Sequence, residues 1–282
     1  MYLRIIVKFY TICAEISQTL KDAEIFFSMT NKCSIDYLET IMEKVYDDEK
    51  LSPRAERFNS LIEKRKNLDD PLGRCLTCME EICQSQQVQL FYFGGLLRDL
   101  WLGFEPRDVD IVSHHSMDAL NDAFSGHPLS YNRFGGMKLF IEGINVDLWK
   151  VEDTHYFKEN DFPLPCIHLL PNTVFFNLES IVYEVHGGDG YRLGWENGFF
   201  EGCENKTIDS ISQVNPFPEL QLARTYHLHE KLNWNLGENL KKYIQSTLPG
   251  CDKEKIHREY VSRYGTILSL NRIVSGLDEL SN

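Results

Sequence analysis

The chain has 282 residues, 43% of them hydrophobic and 25% charged, and carries a net charge of −13. That length and balance fit a globular protein of one large or two modest domains with a sizeable core. The acid excess excludes a general polyanion binder, and no apolar run approaches the about 20 residues that cross a bilayer. From Phe217 to Asn282 nine basic residues stand beside eight acidic ones, so any RNA contact is expected at a local patch. Eight cysteines at irregular spacing read as reduced thiols in a cytoplasmic protein. Met1 to Ala14 is fairly apolar, but Arg4 and Lys8 interrupt it, so no secretion signal is expected.

The first third reads as helical. Ser34 caps a predicted helix with the apolar stripe Ile35, Leu38, Ile41, Met42 and Val45. Ser52-Pro53 and Asp70-Pro71 are caps followed by Pro at the first helical position. Behind them lie Phe58, Leu61 and Ile62, then Leu72, Leu76, Met79 and Ile82. Cys75, Cys78 and Cys83 fit the apolar side of that second helix better than a zinc site, because no partner pair stands at finger spacing.

The pattern then changes. Val88 to Phe93 suits a buried strand, Leu96 to Leu102 a short helix, and Asp108 to Ser113 a strand with Val109 and Ile111 on one face. Ser116 caps a helix from Met117 to Phe124. Lys138 to Ile141 and Ile144 to Val151 flank Glu142-Gly143 as a hairpin. Thr173 to Val185 is ambiguous between strand and helix, and Gly187 to Gly190 is a turn. Glu219 to Leu232 and Lys253 to Leu280 look helical.

The chemistry concentrates in Phe93 to Asp110. Gly94 and Gly95 end a strand and open a helix, where backbone N–H groups can meet phosphate. Asp108 and Asp110 lie two apart on a strand and so share a face. Asp147 stands among the core residues Val146 and Leu148 but points the other way, which is costly unless it is paired or metal-bound. If its strand lies beside Asp108–Asp110, three carboxylates converge and demand a hard cation, Mg²⁺ or Mn²⁺. Two such ions can run an in-line displacement on a nucleoside triphosphate. Arg98 and Arg107 are candidates to hold phosphate or to brace the carboxylates.

These residues resemble the head domain shared by bacterial poly(A) polymerases and class II CCA-adding tRNA nucleotidyltransferases, within the polymerase-beta-like nucleotidyltransferase superfamily. The shared pattern is Gly94, Gly95, Arg98, Asp99, Leu102-Gly103, Asp108 and Asp110. The resemblance implies that Asp108 and Asp110 bind the metals, and it supports Asp147 as the third carboxylate. Phe176-Asn177 followed by Ile181-Val182-Tyr183 is similar to the family's ribose-contacting motif, although Pro171-Asn172-Thr173 replaces its Arg-Arg-Asp. Pro218 to Arg224 resembles the neck segment that selects the base; Arg224 matches one of its arginines and Gln221 stands where another would be.

The expected fold is α+β: a small mixed, mostly antiparallel nucleotidyltransferase sheet flanked by helices. A helical region over 1–86 precedes a head over 87–190 and a neck-like, mostly helical region over 191–282. The expected activity is transfer of a nucleoside monophosphate from an NTP to an acceptor hydroxyl, with an RNA 3′ end such as tRNA favoured. The alternatives are a nucleotide- or partner-binding module without catalysis, and modification of a small molecule or a protein. A partner protein that supplies an RNA surface is compatible with either, and no membrane partner is expected.

Overall fold

The computed structural model describes residues 48–281 except 160–164, 186–192, 213–215 and 266–267, and gives no side chains for 48–52, 55 and 193–195. The expected Ser34 helix and the Gly187–Gly190 turn lie outside the described residues. The chain divides into two compact units, Met1–Ser52 and Pro53–Asn282, and the second holds the elements discussed below apart from the start of the first helix.

Helix α1 (Asp48–Lys66) begins ahead of the expected Ser52-Pro53 start, so Pro53 sits in its second turn. Helix α2 (Pro71–Gln86) starts as the sequence implies, with the Asp70 side chain accepting the Gly73 N–H at 2.8 Å. Its Leu72, Cys75, Leu76, Met79 and Cys83 are buried. Burial pushes the Cys75 and Cys83 thiols up to about 12, which makes them packing residues.

Seven strands form one sheet: β1 (Phe91–Phe93), β2 (Asp108–Ser113), β3 (Leu129–Tyr131), β4 (Met137–Ile141), β5 (Ile144–Lys150), β6 (Ile181–Glu184) and β7 (Leu193–Glu196). Their order is β3-β4-β5-β2-β1-β6-β7. β2 and β5 run parallel, and the other pairings are antiparallel, so the sheet is mixed as expected. Strand β1 is shorter than its apolar run. The Gln89 N–H goes to the His115 ring at 3.0 Å and the Gln89 carbonyl accepts the Ser113 hydroxyl at 2.7 Å, so side chains replace the ladder there.

The turn between β4 and β5 has positive φ at both Glu142 (53°) and Gly143 (87°). That is the geometry whose twist suits a two-residue hairpin. The burial alternation of β4 and β5 then places Met137, Leu139, Ile141, Val146 and Leu148 in the core. Helix α3 (Gly95–Leu102) packs on β1, β2 and β6. Beside it, Phe58 is fully buried and stacks on Trp101 with ring centroids 4.8 Å apart, edged by Phe199 and Phe200. The remaining short helices are α4 (Met117–Ala123), capped by Ser116, and α5 (His155–Glu159).

The ambiguous run after Thr173 resolves into a single-turn 3₁₀ helix (Asn177–Glu179) leading into β6. Beyond β7 come α6 (Phe199–Asn205), β8 (Thr207–Ile208), α7 (Pro218–Leu232), β9 (Asn235–Leu236), α8 (Glu238–Thr247), α9 (Lys253–Tyr264) and α10 (Leu270–Ser281). The long helical stretch expected from Lys253 is thus two helices, α9 being capped by Gly265. These elements share one core, in which Leu222, Tyr226, Leu240, Ile244, Ile256, Ile273 and Leu277 pack on Phe175, Phe176 and Leu178. Among the described residues no helix is long and apolar enough to cross a membrane.

Phe58→Ala is expected to cost about 3–5 kcal/mol, because the stacked cluster has no way to collapse around the lost ring. The check is a urea unfolding curve, whose midpoint should fall while its slope stays constant.

Candidate active site

The pairing of β2 with β5 builds the centre of the site. Parallel register sets Asp110 opposite Asp147 and Asp108 opposite Asn145. Partners in register point to the same side, so the outward residues of both strands form one open face. On the antiparallel side, Lys138 of β4 stands opposite Asp147, and Phe93 of β1 opposite Asp110.

The three carboxylates are handled differently. Asp108 is exposed enough to accept two bonds from Arg107, at 2.8 and 3.2 Å. Arg107 itself also donates to the Arg263 carbonyl at 3.2 Å. Asp147 Oδ1 is buried without a hydrogen bond, and the Lys138 ammonium lies 3.6 Å away. Asp110 lies between them, pushed up to about 7 by burial and then by the negative charges of Asp108, Asp147 and Glu179. Among the described residues, no three His, Cys, Asp or Glu side chains are gathered as a ready-made metal cage, because the outer two carboxylates turn toward Arg107 and Lys138. The donor set still suits a hard divalent ion: carboxylate oxygens, one buried and unbonded, beside a carboxyl whose charge is disfavoured.

Gly94 supplies the entry to α3. Its φ of 64° is a conformation that side chains rarely adopt, and its N–H is already bonded to the Ile181 carbonyl at 3.3 Å. Gly95 is the first residue of α3.

The structure turns two expected nucleotide contacts inward. Arg98 is buried and its guanidinium is committed: Nε and Nη2 donate to Asp99 at 3.0 and 3.1 Å, and Nη1 donates to Glu179 at 2.7 Å. It braces the helix instead of offering a phosphate clamp. Asn177 is 6% exposed, donates to the Thr207 carbonyl at 3.0 Å and accepts the Asp209 N–H at 2.9 Å. Both ends of its amide pin the 3₁₀ turn to β8, so it does not reach the open face. Arg224 is half-buried above the Phe176 ring; it donates to Gln221 Oε1 at 3.2 Å and to Glu179 Oε2 at 2.7 Å.

Glu179 is the group the sequence reading missed. It joins Arg98 of α3 to Arg224 of α7, and Lys231 of α7 donates to Asp99 at 3.0 Å. The two arginines hold its carboxyl below the usual range against the effect of burial. A charged residue inside the apolar run from Phe175 to Val185 was the available signal, since such a residue must find a partner. Next to this network His227 stacks on Tyr264, with centroids 3.5 Å apart and planes 2° apart. Burial, then Lys231 and Arg98, push the imidazole down to about 4, so it is neutral at neutral pH.

No family model matches the sequence, and no curated protein does. Solved structures do. A Thermotoga maritima CCA-adding enzyme complexed with tRNA matches at 17% identity and a TM-score of 0.57, over 78% of this chain and 53% of its own. A CCA-adding enzyme complexed with ATP matches at 15% identity and 0.57, over 78% and 52%. A tRNA-processing enzyme matches at 19% identity and 0.55, over 76% and 59%. The chain spans a little over half the length of these proteins. Likeness at this identity establishes the fold alone: over the matched part the chain is built like these CCA-adding and tRNA-processing enzymes.

Glu179→Gln is expected to cost about 3 kcal/mol, because it leaves the largely enclosed Arg98 and the half-buried Arg224 charged without their shared anion. The native pKa of Glu179 is depressed, so its contribution is present above the unfolded value near 4.5 and is lost as pH falls through the native one. Denaturant titrations of both proteins should therefore show a constant gap at neutral pH that closes in acid.

Proposed function

We propose that the protein is a nucleotidyltransferase that moves a nucleoside monophosphate from an NTP to an acceptor hydroxyl, with an RNA 3′ end as the favoured acceptor. The observation that carries this reading is the open face on which Asp110 and Asp147 stand in register, with Asp108 two residue pairs away. The fold supports it, since proteins of this architecture are seen with ATP, with CTP and with tRNA.

In this reading Asp108, Asp110 and Asp147 hold Mg²⁺ or Mn²⁺, which would neutralise the triphosphate and lower the pKa of the attacking hydroxyl. The acceptor oxygen bonds to the α-phosphorus, the bond to the bridging oxygen breaks, and pyrophosphate leaves. Gly94 and Gly95 let phosphate approach the backbone where α3 begins. Arg107 is the exposed cation beside Asp108 and can exchange that carboxylate for a phosphate. Arg98 and Glu179 act behind the face by holding α3 and α7 in place. The head would be residues 87–190, with 1–86 before it and a neck-like region over 191–282. A cytoplasmic setting suits the described thiols, which are free, with Cys75 and Cys83 buried.

A second reading has one observation in its favour. Arg224 and Gln221, which stand where the resembling family reads the base, are bonded to each other, and Arg224 is bonded to Glu179 as well. A module that binds a nucleotide or a partner without transferring it would show this.

Each labelled NTP incubated with Mg²⁺ or Mn²⁺ and total RNA separates the two. Transfer to RNA is expected, and Asp108→Ala/Asp110→Ala should lower it by about a hundredfold or more. Transfer that survives in the double variant sinks the carboxylate assignment, and no transfer to RNA, small hydroxyl compounds or protein favours the binding module. Separately, Mn²⁺ should raise the Tm of the unaltered protein and leave that of Asp110→Asn unmoved.

A further inference from the structure

Strand β4 alternates buried and exposed residues, and its exposed ones are Lys138 and Phe140. Lys138 is in register with Asp147, and Phe140 with Asn145, which is itself in register with Asp108. Both therefore rise from the carboxylate face, one strand beyond Asp147. At the usual strand spacing they lie within about 10 Å of the β2 carboxylates.

Phe140 is 53% exposed although it sits on the second strand from the sheet edge. An exposed phenylalanine alone needs no explanation, but this one shares its face with Lys138 beside the carboxylates. At the other end of the hairpin, in its turn, Phe134 is 63% exposed under the Arg133 guanidinium, which lies 4.6 Å from its ring. Asn132 orders that turn: its Oδ1 accepts the N–H groups of Phe134 and Gly136 at 2.8 and 3.0 Å, and its N–H reaches the Gly136 carbonyl at 2.8 Å. An exposed ring and a cation thus stand on the carboxylate face, and the turn of the same hairpin carries a second of each, in a chain whose overall charge is strongly negative.

We propose that this β3–β4 surface is the seat of the acceptor: a single-stranded polynucleotide end whose base stacks on Phe140 while Lys138 and Arg133 meet its phosphates. Ring faces accept any unpaired base, and cations track the backbone, which is the chemistry of single-strand binding. An apolar protein partner is the poorer fit, because each ring has a cation as its close neighbour and Phe140 adjoins the carboxylate face. The proposal rests on the transferase reading for its purpose but not for its test.

The test is fluorescence anisotropy of the full chain with a 5′-labelled, mixed-sequence single-stranded oligoribonucleotide at low salt, without NTP. Binding should weaken about five- to a hundredfold in Phe140→Leu and be kept in Phe140→Trp. Lys138→Met should lower the salt slope by about one. A duplex of the same sequence should bind less tightly, since its bases are already stacked. Absence of single-strand binding, or equal binding by Phe140→Leu and the unaltered chain, overturns the proposal; so does duplex binding as tight as single-strand binding. If Phe140 governs binding but no nucleotide is transferred, the surface stands and the transferase reading falls. If transfer to RNA proceeds with the same acceptor affinity in Phe140→Leu, the reverse holds.

Discussion

The buried carboxylate of Glu179 is the constraint on which the rest of the site depends. It comes from a single-turn 3₁₀ helix, yet it bonds to Arg98 on the helix behind the sheet and to Arg224 on the first long helix of the C-terminal region. Through Asp99 the same network takes in Lys231. Burying such a group is unfavourable by itself and becomes tolerable only because both arginines are placed to meet it. The two halves of the Pro53–Asn282 unit are therefore joined by charge as well as by the Phe175–Phe176 packing. The open carboxylate face sits directly in front of that joint.

The sheet makes the opposite choice. Its strands bury Val109, Ile111, Val146 and Leu148 and push like charges together on the other side. Burial first, and then those neighbouring charges, raise the pKa of Asp110, and Arg107 and Lys138 relieve only the outer carboxylates.

How much of this could be read from the sequence depended on how local the signal was. The strand Asp108–Ser113, the hairpin at Glu142-Gly143 and the cap at Asp70 were legible because alternation, turn chemistry and capping act over a few residues. The placement of Asp147 beside Asp110 followed once those two strands were set together. The bond of Arg98 to Glu179 and the role of Asn177 did not follow, since Glu179, Thr207 and Asp209 lie about 30 to 80 residues away in sequence, and a spacing motif holds no information about them. Helices α6 and α8 escaped notice for a related reason: both are short, and their burial is decided by distant partners, Phe58 and Trp101 for α6 and the C-terminal core for α8.

The two-residue turn between β4 and β5 acts as an index for the whole reacting surface. Because strand side chains alternate with a period of two, slipping β4 against β5 by one position would turn Lys138 and Phe140 into the core and bring Leu139 outward. The Arg74–Glu142 ion pair at 2.9 Å ties that turn to helix α2. One inserted residue there would leave each strand plausible on its own and yet erase the surface, so the length of this turn is under tighter restraint than its exposed position suggests.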